Sequence, residues 1–367
     1  MKPIRILQVV TVMNRGGLET MLMNYYRKVD RRKIQFDFMV HRSEEGHYDR
    51  EITSLGGRIY RMPAIKPGNY RKYFRMLAEF FKEHTEYEIV HAHNNENSSF
   101  VLRAAKRAGV KCRIAHSHLS DLGFDIKLPF RLYARMVMKG APNQYFACSE
   151  RAGTWLFGKH VSHIQVLNNA VDVAQFSYNP LKREEIRSEL QAEEKFVIGH
   201  VGRFNRQKNH EFLIDIFAAI HKKNENVLLV LIGDGELRPS IQEKVRNLGL
   251  EEHVRFLGVR EDIANLLQGF DLFLFPSLFE GLPVVLVEAQ AAGLPCVVSN
   301  NITTESNVTG IVQFKSLKES ADKWAQHILS MPVHRFETAR TLKETGYDTT
   351  TMSQWLSDYY VSHYSSR

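Results

Sequence analysis

Two carboxylates, Glu280 and Glu288, stand with seven residues between them in the run Phe279-Glu280-Gly281-Leu282-Pro283-Val284-Val285-Leu286-Val287-Glu288. The apolar stretch from Asp271 to Phe275 reads as a buried strand, Gly281 and Pro283 as a turn, and Val284 to Ala292 as a helix that Gly293-Leu294-Pro295 ends. Glu280 is thereby predicted in a loop and Glu288 inside the helix. Free backbone N–H groups and the positive end of the helix dipole at such a turn attract a phosphate. The segment therefore offers an anion cradle and two acceptors for sugar hydroxyls, since one carboxylate can accept from both hydroxyls of a ribose diol. An isolated pair of glutamates is more often plain surface; the other segments of the chain lower the weight of that reading.

Four more segments fall at the carboxyl ends of predicted strands, where open α/β sheets bind ligands. The first strand runs into Met13-Asn14-Arg15-Gly16-Gly17-Leu18-Glu19, whose glycines let a ligand approach the backbone as the next helix opens. Cys112-Arg113-Ile114-Ala115-His116-Ser117-His118 ends a strand with two histidines, and His91 and His93 end the strand before it. These four could be weighed as a metal site, but no carboxylate-rich shell accompanies them, so a substrate contact through His116 is expected and a metal is not. His200-Val201-Gly202-Arg203-Phe204-Asn205-Arg206-Gln207-Lys208 places Arg203 and Lys208 about a short loop, suited to gripping a diphosphate from two sides. Ile232-Gly233-Asp234-Gly235-Glu236 is a glycine-bracketed turn without the spacing of a dinucleotide fingerprint.

The elements that must position these groups alternate. Strand patterns at residues 4–12, 36–40, 58–62, 88–93, 112–117 and 144–148 are interleaved with helix patterns such as Leu18 to Lys28, Tyr70 to Lys82 and Ser98 to Ala108. The pattern restarts at 196–202, 227–233, 254–257, 271–275 and 295–299, which predicts two doubly wound α/β domains in succession. We place them at 1–170 and 171–350, joined through a polar segment from about Asn168 to Pro180. A final aromatic helix from about residue 351 to 367 packs back on the first domain, because Trp355, Tyr359 and Tyr360 need an apolar surface to cover. A chain of 367 residues is long enough for two cores. Its 44% hydrophobic and 25% charged content is that of an ordinary globular protein.

Three cysteines without metal or framework spacing fit a reducing cytoplasm, and no disulfide is expected. Lys2 and Arg5 before an apolar stretch imitate a signal peptide faintly, but Gln8, Asn14 and Arg15 break it, and no run of about 18 apolar residues spans a membrane. The net charge of +8 is divided unevenly: residues 1–170 hold 28 Lys and Arg against 15 Asp and Glu, the remainder 21 against 26. A basic first half suits a phosphorylated substrate or an anionic lipid surface. Nucleic acid is disfavoured, because no helix-turn-helix, zinc-finger or single-strand-binding pattern accompanies the charge.

Taken together, Gly16-Gly17-Leu18-Glu19, Val90-His91-Ala92-His93, His116, Asn169-Ala170-Val171-Asp172, Gly202-Arg203 with Lys208, Gly233-Asp234-Gly235 and the Glu280/Glu288 pair resemble the retaining family 4 glycosyltransferases of the GT-B fold, of the bacterial exopolysaccharide and capsule type. One departure is Ala170, where the family more often has Gly. The resemblance implies two Rossmann-like domains facing a central cleft, an acceptor held by the first and a nucleotide-sugar donor, UDP-linked, held by the second. It implies catalytic roles for His116, Glu280, Arg203 and Lys208, and donor contacts from Gly16, Gly17, Gly233, Gly281, Leu282, Val284 and Glu288 as well as Arg203 and Lys208. Acceptor contacts would come from His93, His118 and Glu19. It further implies a metal-independent hexosyl transfer with no cofactor, the nucleotide-sugar being a substrate. The acceptor would be a lipid-diphosphate-linked saccharide, met at the inner face of the cell membrane. A nucleotide-sugar epimerase of the same architecture and an inactive scaffold are the alternatives; the scaffold would be expected to lose the charged groups that this chain keeps.

Overall fold

The computed structural model describes residues 2–66, 68–118, 128–158, 161 and 163–364. It comprises two units, one formed by the chain up to Ala170 together with Thr349 onward, the other by Val171–Asp348.

The first unit holds a seven-stranded parallel sheet of β1 (Ile4–Val10), β2 (Ile34–Val40), β3 (Ile59–Arg61), β4 (Ile89–Ala92), β5 (Cys112–Ser117), β6 (Gln144–Ala147) and β7 (Gln165–Val166), in the order β3-β2-β1-β4-β5-β6-β7. The second holds a six-stranded parallel sheet of β8 (Phe196–Val201), β9 (Val227–Ile232), β10 (Val254–Gly258), β11 (Leu272–Phe275), β12 (Cys296–Ser299) and β13 (Val312–Lys315), in the order β10-β9-β8-β11-β12-β13. Both are doubly wound, with the strand order reversing beside β1 and beside β8. Helices cover both faces, so the central strands are buried throughout and read as continuous apolar runs. In the first unit Ile6, Phe36, Ile89 and Ile114 pack on one face while Leu7, Met39, Val90 and Ala115 pack on the other, as the alternation of strand side chains requires.

Among the elements not anticipated are β7, β13 and the helix Pro180–Glu189. β7 is only two residues long and exposed, and β13 is an edge strand whose Val312 and Phe314 alternate with polar residues, so neither has a buried apolar run. The helix Pro180–Glu189 lies at the end of what read as a polar linker; its start signal was present, since Asn179 accepts from the Lys182 N–H and Pro180 takes the first helical position.

The end of β8 and the end of β9 approach each other through glycine. Gly202 donates to the Ile232 carbonyl at 2.9 Å, and Gly233, at a φ of 133°, lies so close to the Gly202 carbonyl that a Cβ would collide with it. Gly233→Ala is therefore expected to lower stability by about 2 kcal/mol, measured by urea unfolding; an unchanged midpoint would show that the two strand ends can separate freely.

Candidate active site

In the second unit the reversal of strand order falls between β8 and β11, and the groups nominated from the sequence gather there. β8 leads into Gly202 and then a single 3-10 turn, Arg206–Lys208, capped by the Asn205 side chain, which accepts from the Lys208 N–H. Lys208 Nζ donates to Glu280 Oε1 at 2.6 Å and lies 4.6 Å from the centre of the Phe275 ring at the end of β11. Both side chains are largely withdrawn from water, at 15% and 8% exposure. The loop carrying Glu280 is held by backbone partners: Leu278 donates to the Gln207 carbonyl, Gln207 Nε2 to Phe279, and Asn209 Nδ2 to Pro276. Asn209 adopts left-handed φ and ψ to end this turn and start the next helix, a conformation that Asn tolerates well. Arg203 is exposed, and its side chain has no partner among the described residues.

Glu288 lies in the helix Val284–Ala291, whose start has no side-chain cap. Leu282 and Val284 bury their side chains in the core, so only their backbone can face a ligand. Glu288 keeps a small accessible fraction but is densely surrounded by protein, and the loss of water raises its carboxyl from 4.5 to about 7. Gly233 supports the site through the close strand approach described above.

In the first unit the corresponding reversal falls between β1 and β4. Gly16 and Gly17 open the helix Gly17–Lys28, and the Glu19 carboxylate folds back against Gly16. That helix start already carries the chain's own anion. A donor phosphate at Gly16 and Gly17 would have to displace it.

The histidines form a layer on one face of the sheet, with His91, His93 and His116 buried and His118 partly so. Gln8 is the register partner of His91, which in turn aligns with Ile114, two residues before His116. Tyr360, on the helix Thr349–His363, contacts this layer through its hydroxyl, 2.7 Å from His91 Nδ1. His91 Nε2 is 3.0 Å from His116 Nδ1, His93 Nδ1 is 3.0 Å from His118 Nε2, and His93 Nε2 is 2.8 Å from Gln8 Oε1. His118 is also fixed by its backbone N–H, which donates to Asn95 Oδ1. Burial pushes His91, His93 and His116 well below the ordinary imidazole value and His118 to about 3, so all four are neutral. His116 Nε2 is fully buried with no hydrogen-bond partner among the described residues.

Ligating nitrogens of His91, His93 and His116 lie within 4.8 Å of one another. They bond to their neighbours in series, however, and the His91 and His93 rings stack at 22°. The three residues could hold an ion only by giving up these hydrogen bonds.

Sequence reasoning gave Gln8 and Tyr360 no part in a site. A glutamine inside the apolar run of β1 was the available signal, as was the need of a buried tyrosine hydroxyl for a partner. It also gave no role to His200, whose Nδ1 bonds the Leu274 carbonyl, or to His210, stacked on Phe204 at 4.0 Å.

Two doubly wound sheets with anionic and cationic groups collected at their strand ends define the class: this is the GT-B architecture of glycosyltransferases. Residues 15–175 match the family described as Glycosyltransferase Family 4 and residues 182–348 the one described as Glycosyl transferases group 1. The chain is 40% identical to EpsF of Bacillus subtilis (strain 168), a protein named as a glycosyltransferase, over 94% of this chain and 93% of that one. It is 30% identical to an Escherichia coli UDP-Gal:alpha-D-GlcNAc-diphosphoundecaprenol alpha-1,3-galactosyltransferase, over 59% of this chain and 58% of that one. Anabaena HepE, crystallised in complex with UDP-glucose, superposes with a TM-score of 0.78 at 20% identity, covering 98% of this chain and 99% of its own. The protein belongs to the family 4 glycosyltransferases.

The raised Glu288 carboxyl has a stability consequence. The folded state holds its proton up to about pH 7 whereas the unfolded chain releases it near 4.5, so the cost of burying the ionised form grows as pH rises through that window. Glu288→Gln is expected to match the parent protein in thermal stability at pH 4.5 and to exceed it at pH 7.5. Equal melting temperatures at both pH values would show that the carboxyl titrates normally.

Proposed function

We propose that this glycosyltransferase moves a hexosyl group from a UDP-sugar to a lipid-diphosphate-linked saccharide, with retention at the anomeric carbon and without a metal ion, in exopolysaccharide or capsule assembly. The observation that carries this reading is the Lys208–Glu280 ion pair at the β8/β11 reversal, beside the Glu288 helix. The donor class is supported by the UDP-Gal in the name of the Escherichia coli relative and by the UDP-glucose bound in HepE. The acceptor class is supported by the diphosphoundecaprenol in the same relative's name.

Departure of the nucleoside diphosphate leaves negative charge on phosphate and positive charge on the sugar. Arg203, with an unengaged guanidinium, Lys208 and the uncapped start of Val284–Ala291 supply the compensating field. Lys208 occupies Glu280 Oε1, leaving Oε2 to accept a hydroxyl of the transferred sugar. Glu288 accepts from the ribose diol, and because that diol stabilises the carboxylate, nucleotide binding near neutral pH draws its proton off. His116 is proposed to donate or accept at Nε2 with a sugar hydroxyl near the reacting carbon, a contact that needs the groups covering this buried nitrogen to move aside. In same-face attack a donor phosphate oxygen takes the acceptor proton, so no further protein base is needed.

A membrane-facing surface is part of the proposal. In Tyr70-Arg71-Lys72-Tyr73-Phe74-Arg75 and in Lys127 to Met136 basic residues interleave with aromatic and aliphatic ones, a pattern that by itself suggests the basic residues as the contact; Lys127 lies outside the described residues. In the helix Leu128–Val137 the expected polarity is partly reversed. Leu132, Tyr133 and Met136 are 50%, 51% and 63% exposed, while Arg131 pairs with Glu96 and Arg135 is turned to the Leu156 carbonyl and over Trp155. Phe74 on the helix Tyr70–Glu83 is exposed as well, beside exposed Arg71, Lys72 and Arg75. Apolar side chains with a basic surround suit the interface of an anionic bilayer. Among the described residues no helix is long and apolar enough to cross a membrane.

With labelled UDP-sugars and a lipid-linked saccharide, transfer is expected to persist in EDTA. Glu288→Gln should mainly raise the nucleotide Kd, and Glu280→Gln should mainly lower kcat. Interconversion of the free nucleotide-sugar without an acceptor would replace this reading with an epimerase, and restoration of a chelated enzyme by one divalent ion would remove the metal-free mechanism.

Sedimentation with anionic vesicles should capture the protein at low salt and release it progressively as salt screens the basic residues. Replacing Leu132 and Met136 by Asp should abolish capture, whereas binding no different from that to neutral vesicles would point to a soluble acceptor.

A further inference from the structure

We infer that the Tyr360 hydroxyl sets the tautomer of His116: a buried series of hydrogen bonds from Gln8 through Tyr360 and His91 presents His116 as a fixed N–H donor at Nε2, which makes Tyr360 a positioning residue. Its meaning for catalysis rests on the transferase mechanism proposed above, but the tautomer itself does not.

The series has two possible directions. A neutral imidazole carries one N–H and one lone pair, so the role of either nitrogen dictates the role of the other. If the Tyr360 O–H donates to His91 Nδ1, then His91 Nε2 carries a hydrogen and donates to His116 Nδ1, and the only N–H of His116 is at Nε2. If the series runs the other way, His116 Nδ1 carries the hydrogen and Nε2 is a bare lone pair. Burial keeps every ring neutral, which excludes a doubly protonated member that would break the series.

Three observations favour the first direction. The Tyr360–His91 separation of 2.7 Å suits an O–H donor, whereas N–H donors to oxygen centre on about 2.9 to 3.0 Å. A phenol is also a stronger donor than acceptor towards an imidazole lone pair. Gln8 completes the assignment: its Nε2 donates to the Tyr360 oxygen at 3.3 Å and its Oε1 accepts from His93 Nε2 at 2.8 Å, leaving the tyrosine proton for His91. His93 Nδ1 is then an acceptor for His118 Nε2–H, so the second branch closes without conflict. Every ring N–H and the tyrosine O–H of both branches is then used except the N–H of His116 Nε2, the buried nitrogen without a partner among the described residues.

An N–H at that position donates to an oxygen. Once the groups that cover it move aside for a ligand, it can hold a sugar hydroxyl or carry part of a developing negative charge, but it cannot act as a base. Tyr360 lies 244 positions beyond His116 in the chain and touches the layer only because the helix Thr349–His363 belongs to the first unit.

The test is two-bond 1H–15N correlation on full-length protein labelled at histidine, at pH 6 to 8, with His116→Gln identifying the signal. The expected pattern for His116 is a hydrogen on Nε2 and a lone pair on Nδ1. The opposite pattern, or a cationic one, would overturn the inference in the unaltered protein, with no variant needed. Tyr360→Phe keeps the ring in its packing and deletes only the donor. His116 should then populate the Nδ1–H form, and kcat should fall about 10-fold or more while the donor KM stays unchanged. An unaltered His116 pattern in this variant would remove Tyr360 from the role. The spectra require no substrate, so absence of transfer with every donor and acceptor tried would count against the proposed function alone.

Discussion

A parallel sheet covered on both faces leaves few places where polar chemistry can reach a ligand. Its strands are buried along their length, so side chains that must meet water or substrate collect where the strands stop and the loops diverge. Both units obey this constraint. β8 and β11 deliver Gly202 and Glu280 to one strand-end region, and β1, β4 and β5 deliver Gly16, His93 and His118 to another. The apolar alternation of the sheets and the position of the chemistry are thus two results of one packing requirement.

The two ends of β11 show what burial does to charge. At the amino end Asp271 accepts from Arg183, Arg187 and the Val197 N–H, so its oxygens serve to fasten the unit. At the carboxyl end Glu280 has, among the described residues, a single side-chain partner, Lys208, which is itself placed over Phe275. Leaving one member of such a pair buried and alone costs about 3 to 5 kcal/mol. Pairing compensates each of the two charges from within the protein. The histidine layer solves the same problem without charge: its neutral imidazoles bond to one another, to Gln8 and to Tyr360, and His116 Nε2 is left unpartnered among the described residues.

Much of this was legible in the chain. Strand ends were read to within a few residues because buried strands are continuous apolar runs, and Glu280 and Glu288 were assigned to loop and helix from Gly281, Pro283 and Gly293 alone. β13 and the helix Pro180–Glu189 were missed because an edge strand alternates with polar residues and a polar surface helix has no apolar run to announce it. The basic stretch around Arg131 and Arg135 was read by composition, and composition cannot tell that the arginines turn inward while Leu132 and Met136 face out.

The sequence by itself determined the elements, their alternation and the residue types at the strand ends, since these depend on local periodicity and on turn residues a few positions apart. Only the tertiary structure decided who meets whom: Lys208 with Glu280 across 72 positions, Gln8 with His93 across 85, and Tyr360 with His91 across 269. Such partners are set by strand order and by where the last helix docks. No local pattern encodes them, because a side chain's neighbour across a sheet depends on the register of strands that the chain visits far apart.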